Sequence, residues 1–451
     1  MRKKLLWLVL ALASAAQIAT AHAEVAFPPA LKPAVQEAKA AHLAAELLTR
    51  YHYKATALDD ALSSQMFDRY LKALDPEKLY FLQSDIDRLA ADRTRLDDAI
   101  LTEDLRAPFD IFNLYERRAA ERLVYARALL QKGFDFQSDE TLLIDRKDQA
   151  WPATEAQLKD LWCKRVKNDW LRLKLAGKDD AGIVKVLDKR YDSAFKRMGK
   201  ITSADAFQAF MNAYTMAIEP HTNYLGPRAA EDFDISMRLS LVGIGAVLTE
   251  IDGYATIREL VPGGPASLSG QLKVGDRIVG VAQGAAGPME DVVGWRLDDT
   301  VALIRGTVDS TVRLDILPAG SGPDAPNKAV ALVRNTIKMQ DRAAKARVFS
   351  VTEGAGKRRV GVITLPSFYE DVDARQKGDK DYRSASRDVA RLLADMKAQK
   401  VDSLLVDLRN NGGGSLREAV ELTGLFVGKV PVVQARNAKG GISVERNVNV
   451  G

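Results

Sequence analysis

Cys163 is the only cysteine among 451 residues. An intrachain disulfide is therefore excluded, as is lipid attachment at an exported N-terminus, which needs a cysteine at the cleavage site. Histidine is nearly as scarce, with only His22, His42, His52 and His221 present. His42 and His52 stand ten residues apart, out of phase for one helix face, so with a lone cysteine no zinc-binding spacing exists. An excess of one charge is also missing: 65 Lys and Arg face 60 Asp and Glu, and three of the five net positive charges are Arg2, Lys3 and Lys4. The other charges are interspersed, which gives no reason to expect a nucleic-acid partner or a strongly acidic one. After residue 23 no apolar run is long enough to cross a bilayer. No Gly-x-x-x-x-Gly-Lys-Ser/Thr phosphate loop occurs, Gly243-Ile244-Gly245 lacks the third glycine of a dinucleotide fingerprint, and nothing repeats at a fixed period.

What is present begins with residues 1–23, which read as a cleavable signal peptide. A basic start precedes an apolar run over 5–16, and Ala21-His22-Ala23 offers small residues for cleavage before Glu24. The expected mature protein is exported and has no integral membrane segment. Residues 24–230 read as a helical domain. Apolar residues at helical spacing mark 33–50 and 105–132, the second stopping at Gly133. Thr154 with Gln157 forms a capping box opening a helix to Gly177, and Ser203 opens another that ends near Pro220. The paired acids Asp59-Asp60 and Asp97-Asp98 are expected at solvated helix ends.

Short β-rich runs at 241–249, 254–260, 277–281 and 311–317, with a helix at 295–304, define a module over 235–320. From 329 to 451 the pattern is α/β, with strands at 329–334, 347–351, 359–365 and 403–408, helices at 384–400 and 415–426, and a polar, turn-like end.

Two motifs carry chemistry. Leu241-Val242-Gly243-Ile244-Gly245 is an apolar–Gly–apolar loop ahead of a strand. Glycine lets such a loop curl its N–H groups onto a carboxylate, and a peptide then adds as an extra strand. A β-rich module with a glycine bulge and no ligand is the alternative. The second motif is Asp407-Leu408-Arg409-Asn410-Asn411-Gly412-Gly413-Gly414-Ser415, between a strand and a helix. Amides there favour an anion or a developing oxyanion; a tight turn is the alternative.

These two motifs, with Gly275-Asp276-Arg277-Ile278, Gly294-Trp295-Arg296-Leu297-Asp298-Asp299, Leu74-Asp75-Pro76, Tyr80-Phe81 and Pro220-His221-Thr222-Asn223-Tyr224, resemble the tail-specific (C-terminal processing) serine proteases of Gram-negative periplasms. The resemblance runs from about residue 35 onward. It implies a multidomain α+β protein: an N-terminal helical domain, a PDZ module over 235–320 that takes apolar C-terminal tails, and a crotonase-like α/β protease core. By this resemblance Leu241, Val242, Gly243 and Ile244 match the carboxylate-binding loop, and Gly412 and Gly413 match the oxyanion-hole glycines. Catalysis would use a Ser-Lys dyad with no metal or cofactor. The implied partners are exported proteins with apolar tails and a lipoprotein adaptor. The implied location is the periplasm, with association at the inner-membrane surface compatible with it.

In the family the nucleophile sits in a Ser-Ala-Ser-x-Glu stretch after the glycines, with the lysine further on. Neither follows Ser415 here, so the dyad is expected past Gly451 and the 451-residue chain is expected not to cut alone. A truncated, non-catalytic tail-binding protein and a scaffold whose module binds nothing are the alternatives. Ser384-Ala385-Ser386-Arg387-Asp388 imitates the nucleophile stretch but lies upstream of the glycines, and Ser384 is expected to be a helix N-cap. His221, in a turn after Pro220, leaves a Ser-His-Asp arrangement open.

Overall fold

The computed structural model describes residues 27–322, 325–353 and 356–447. The signal-peptide segment 1–23 lies outside the described residues. Contacts divide the chain into two units, one of residues up to Leu43 with Leu58–Ala217, the other of Ala44–Ala57 with Ile218 onward.

The first unit is helical. Helix α1 (Val35–Tyr51) bridges the division, and α2 (Asp60–Leu74), α3 (Gln83–Leu89), α4 (Leu96–Leu101), α5 (Arg106–Leu130), α6 (Glu155–Leu175), α7 (Asp180–Met198) and α8 (Ser203–Ile218) follow. Its core joins α5, α6 and α7 through Leu123, Leu130, Leu158, Trp162, Val166, Trp170, Ile183 and Leu187. Trp162 buries its ring and donates Nε1–H to the Leu79 carbonyl at 2.7 Å, which keeps its one polar atom satisfied. That carbonyl belongs to a loop organised by buried Asp75. Its carboxylate accepts from the amides of Leu79, Tyr80 and Phe81 at 2.7, 3.0 and 3.1 Å and from Trp151 Nε1 at 3.2 Å. Burial pushes the Asp75 carboxyl up from its ordinary value against the pull of those four donors.

Thr154 caps α6 by accepting from Gln157 N at 3.2 Å, but Gln157 returns its side chain to Ala153 N at 2.9 Å, so the expected box closes one residue early. Asp59 caps α2 as a helix-end acid does. Asp97 departs from expectation: it is 4% exposed, because α4 lays its first turn into the core beside Leu96 and Ile100.

In the second unit, α9 (Pro227–Arg238) ends at Leu239, whose φ of 50° turns the chain into β1 (Ser240–Gly243). Strands β2 (Ala246–Ile251), β3 (Tyr254–Leu260), β4 (Arg277–Gln283), β5 (Glu290–Asp291), β6 (Thr311–Leu317) and β7 (Lys328–Val333) form one sheet. Its order is β2-β3-β4-β6-β7, with β5 beside β4. Helix α10 (Pro265–Leu268) is a single turn, and α11 (Leu297–Ile304) packs against β2 and β4. Strands 254–260 and 311–317 stand where the β-rich runs predict them; the helix expected from 295 begins at Leu297, since Trp295 N closes a turn onto the Val292 carbonyl.

Residues 329–334, expected in the following α/β segment, instead pair with β6 as this sheet's last strand, Leu332 opposite Val312. Val330 and Leu332 point into the module's core, which only this pairing covers.

Strand β8 (Asn335–Lys338) leaves the module and pairs antiparallel with β1. Next come β9 (Lys345–Glu353), β10 (Gly356–Thr364), α12 (Val372–Gln376), α13 (Ala385–Ala398), β11 (Ser403–Asp407) and α14 (Leu416–Gly424). Strand β10 runs antiparallel to β9 and parallel to β11. Helices α13 and α14 pack together, and Ile363, Leu365, Tyr369, Val389, Met396 and Leu422 make the core. The end expected to be turn-like is a hairpin of β12 (Pro431–Arg436) and β13 (Ile442–Arg446), closed by Asn437 N donating to the Gly441 carbonyl at 2.9 Å.

Candidate functional site

Residues 241–245 were expected as a glycine loop within the β-rich run 241–249; of these, Leu241–Gly243 lie in strand Ser240–Gly243, whose register places Leu241 opposite Ile337 and Gly243 opposite Asn335. Valine, isoleucine and threonine on the facing strands favour this pairing. The turn is confined to Ile244-Gly245. Gly245 has φ +73°, and a Cβ there would sit 3.0 Å from the Gly264 Cα, so two backbones cross at a distance no side chain permits. Ile244 C=O accepts from Ala266 N, and Gly245 C=O from Val261 N, each at 2.8 Å, which pins the crossing.

Beyond the turn, β2 is the terminal strand of its sheet. A groove of about 560 Å³ runs between this edge and α11. Its lining includes Leu241, Gly243, Ile244, Leu248, Val261, Val301, Ile304 and Ile337, with Glu259, Asp341, Arg305, Lys338 and Arg342 adding charge of both signs. Val242 is the one residue of the expected loop that does not line the groove; it alternates to the other face of β1. A free strand edge beside an apolar helix can hold an extended peptide, pairing its backbone with β2 and seating alternate side chains against Val301 and Ile304.

The glycine motif lies between β11 and α14. Arg409 closes on Asp407 at 2.7 Å and pulls that carboxyl down to about 2. Asn411 Nδ2 donates to the Leu365 carbonyl at 3.0 Å. The loop is then gripped by Phe368, whose N–H donates to Gly413 O at 2.9 Å and whose carbonyl accepts from Ser415 N at 2.8 Å. Gly414 lies between them with φ +143°, and a Cβ on it would fall 2.7 Å from the Phe368 carbonyl carbon. Ser415 caps α14 and donates its hydroxyl to Glu370 at 2.7 Å, and Glu370 pairs with Arg375 at 2.6 Å. Of the two expected oxyanion donors, Gly413 N–H donates to Asn411 Oδ1 at 2.8 Å, while Gly412 N–H has no partner among the described residues.

Ser384 is the N-cap of α13, as expected, accepting from Arg387 N at 3.3 Å. Its hydroxyl also donates to Glu418, at 2.7 and 2.9 Å to the two oxygens, and Ser386 N donates to the same carboxylate at 2.7 Å. Glu418 is fully buried, and that burial holds its carboxyl above the ordinary range. The spacing of Ser415 and Glu418 could have signalled a capping pair; the turn of the carboxylate toward α13 could not be seen locally. His221 is exposed and pairs with Glu219 at 2.8 Å, and among the described residues no serine hydroxyl meets its ring. Among the described residues no group of three or more His, Cys, Asp or Glu could hold a metal ion, and no helix is long and apolar enough to cross a membrane.

Comparison with known proteins finds three family matches. Residues 44–228 match the tail specific protease N-terminal domain, 233–317 the PDZ domain and 359–449 peptidase family S41. The fold class is thus multidomain α+β, with a helical N-terminal domain, a PDZ domain and a protease region of mixed strands. The tail-specific protease of Haemophilus influenzae is 42% identical over 418 residues, covering 92% of this chain and 57% of that protein. Carboxy-terminal processing protease CtpA of Bacillus subtilis is 26% identical over 242 residues, 54% of this chain and 42% of that one. The chain therefore spans about half the length of these relatives. Among solved structures, the PDZ domain of a carboxy-terminal protease from Vibrio cholerae, in complex with peptide, is 55% identical. It covers 22% of this chain and 99% of that one, with a TM-score of 0.21.

Proposed function

This chain belongs to the tail-specific protease family, and on that premise we propose that it is the tail-recognising and leading catalytic part of a serine endopeptidase acting on exported proteins. The observation that carries the proposal is the apolar groove between the free edge of β2 and α11. A substrate's C-terminal carboxylate would lie near the Ile244-Gly245 turn, with Lys338 and Arg342 close by, while its apolar side chains meet Leu248, Val301 and Ile304.

Cleavage would take place at a Ser-Lys dyad supplied by sequence after residue 451 of the whole protein. The lysine would take the serine's proton and the serine would attack the peptide carbonyl. Gly412 N–H would then donate to the oxyanion, and Gly413 N–H would exchange Asn411 Oδ1 for it. Residues 1–23 support export to the periplasm, where proteins with apolar tails and a lipoprotein adaptor would be the partners.

The test is peptide binding by residues 24–451, with a fluorescent peptide ending in small apolar residues as the free acid and as the C-terminal amide. Micromolar binding of the acid, lost on amidation, is expected. Equal binding of the two forms would remove carboxylate recognition from the function.

A further inference from the structure

Arg334 is the single residue between β7 and β8, and it is 2% exposed. Among the described residues no carboxylate meets it. All five of its N–H donors are nonetheless used, each on a neutral acceptor. Nε donates to Ile304 O at 2.7 Å; one terminal nitrogen reaches Ser310 Oγ at 2.9 Å and Thr311 O at 3.2 Å; the other reaches Gln283 Oε1 at 2.6 Å and Leu303 O at 3.0 Å. The guanidinium lies against Gly306, where a Cβ would come within 2.9 Å of Cζ.

Two of those acceptors, the carbonyls of Leu303 and Ile304, are orphan groups at the C-terminal end of α11, the end that favours a cation. Gln283, at the end of β4, supports the same cap by donating to Leu303 O at 2.7 Å. Helix α11 carries Val301 and Ile304, which form one wall of the groove. The main chain of Arg334 is fixed as well, its N–H on Ser310 O at 2.8 Å, and it continues directly into β8, whose Ile337 lines the groove. A buried cation without a counter-charge is a costly way to gain stability, and an apolar side chain of similar volume would often serve as well. What the planar five-donor fork adds is fixed geometry.

We propose that Arg334 is a positioning residue of the groove: by capping α11 and anchoring the start of β8, it sets the width between Val301, Ile304 and the β2 edge, and so the size of the terminal side chain the groove accepts. This rests on the tail-binding reading of the same groove.

The test uses residues 24–451 and two free-acid peptides that differ only in the last side chain, alanine or leucine, with dissociation constants read by fluorescence anisotropy. Arg334→Lys keeps the charge but loses the fork. Gly306→Ala keeps the arginine but pushes a methyl group into its plane. Both variants are expected to weaken the preferred peptide by about tenfold and to shrink the preference between the two peptides by severalfold. Ile257→Val, in the module's core and away from the groove lining, is the control: its melting point falls while affinity and preference stay as in the native chain. Native affinity and preference in both Arg334→Lys and Gly306→Ala would overturn the inference, as would the same loss in Ile257→Val. Failure of the native chain to bind either peptide is a separate result, which would sink the tail-binding reading itself and this inference with it.

Discussion

A methyl group at residue 414 and one at residue 412 should have opposite consequences, although both replace a glycine of one loop. At Gly414 the backbone sits at φ +143°, which only glycine adopts readily, and the new Cβ would press on the Phe368 carbonyl, 2.9 Å from its nitrogen and closer to its carbon and oxygen. The conformational strain is about 1–3 kcal/mol. Moving Phe368 away would also break its bonds to Gly413 O and Ser415 N, at about 0.5–1.5 kcal/mol each. Together Gly414→Ala should cost about 2–6 kcal/mol locally. At Gly412 nothing lies within 4 Å of the added carbon, and the backbone is not in the left-handed region. Gly412→Ala should therefore cost less than about 1 kcal/mol.

Because multidomain chains commonly depart from a single two-state transition, a global midpoint is a poor measure. Hydrogen exchange of peptides covering 366–370 and 412–416, read by mass spectrometry, reports the grip directly. Gly414→Ala should speed exchange of the Phe368 and Ser415 amides by at least about thirtyfold, with Gly412→Ala near the native rate. Native protection in Gly414→Ala, or equal loss in both variants, would refute the reasoning.

Three further outcomes follow from other residues. Asp75→Ala removes the acceptor of three buried amides and Trp151 Nε1, and should destabilise the helical unit by more than about 3 kcal/mol, seen as a lower urea midpoint of its tryptophan fluorescence. Burial raises Glu116 from 4.5 to about 7, so the folded state holds a proton that the unfolded chain has released. Its contribution to stability is complete below 4.5 and falls as pH rises to about 7, by at most about 3 kcal/mol; a Glu116→Gln chain should lose this pH dependence in denaturant titrations at pH 4.5 and 7.5, and an unchanged slope would contradict it. Gly245→Ala should force apart the crossing with Gly264 and weaken tail peptides by tenfold or more, while residues 356–447 keep native exchange rates.

Local pattern made much of this legible. Strand 311–317 alternates half-buried and buried residues along most of its length, strand 254–260 falls on its β-rich run, and Gly133, Gly177 and Ser384 sit at helix ends as their chemistry favours. What escaped depends on distant partners. Within the β-rich run 241–249, the strand at 240–243 was legible but its partner was not: Asn335–Lys338, about ninety residues on, comes back to pair with it. Residues 329–334 read as the first strand of the α/β segment, and only the distant pairing with β6 moves them into the module's sheet. The hairpin at 431–446 was obscured by polar residues on an exposed pair of strands. Arg334 carries no motif at all and Glu418 none beyond its capping spacing from Ser415; each matters through backbone groups and hydroxyls that only the folded chain assembles.

The pairing of β1 with β8 also has a meaning for lineage. Met339 N reaches Leu239 O at 2.9 Å, so the strand that enters the module and the strand that leaves it are joined side by side, and residues 244–334 between them form a closed cassette. A lineage could exchange that cassette for another of different tail preference by recombination at two nearby places, leaving the path from α9 to β9 the same length and the glycine loop undisturbed.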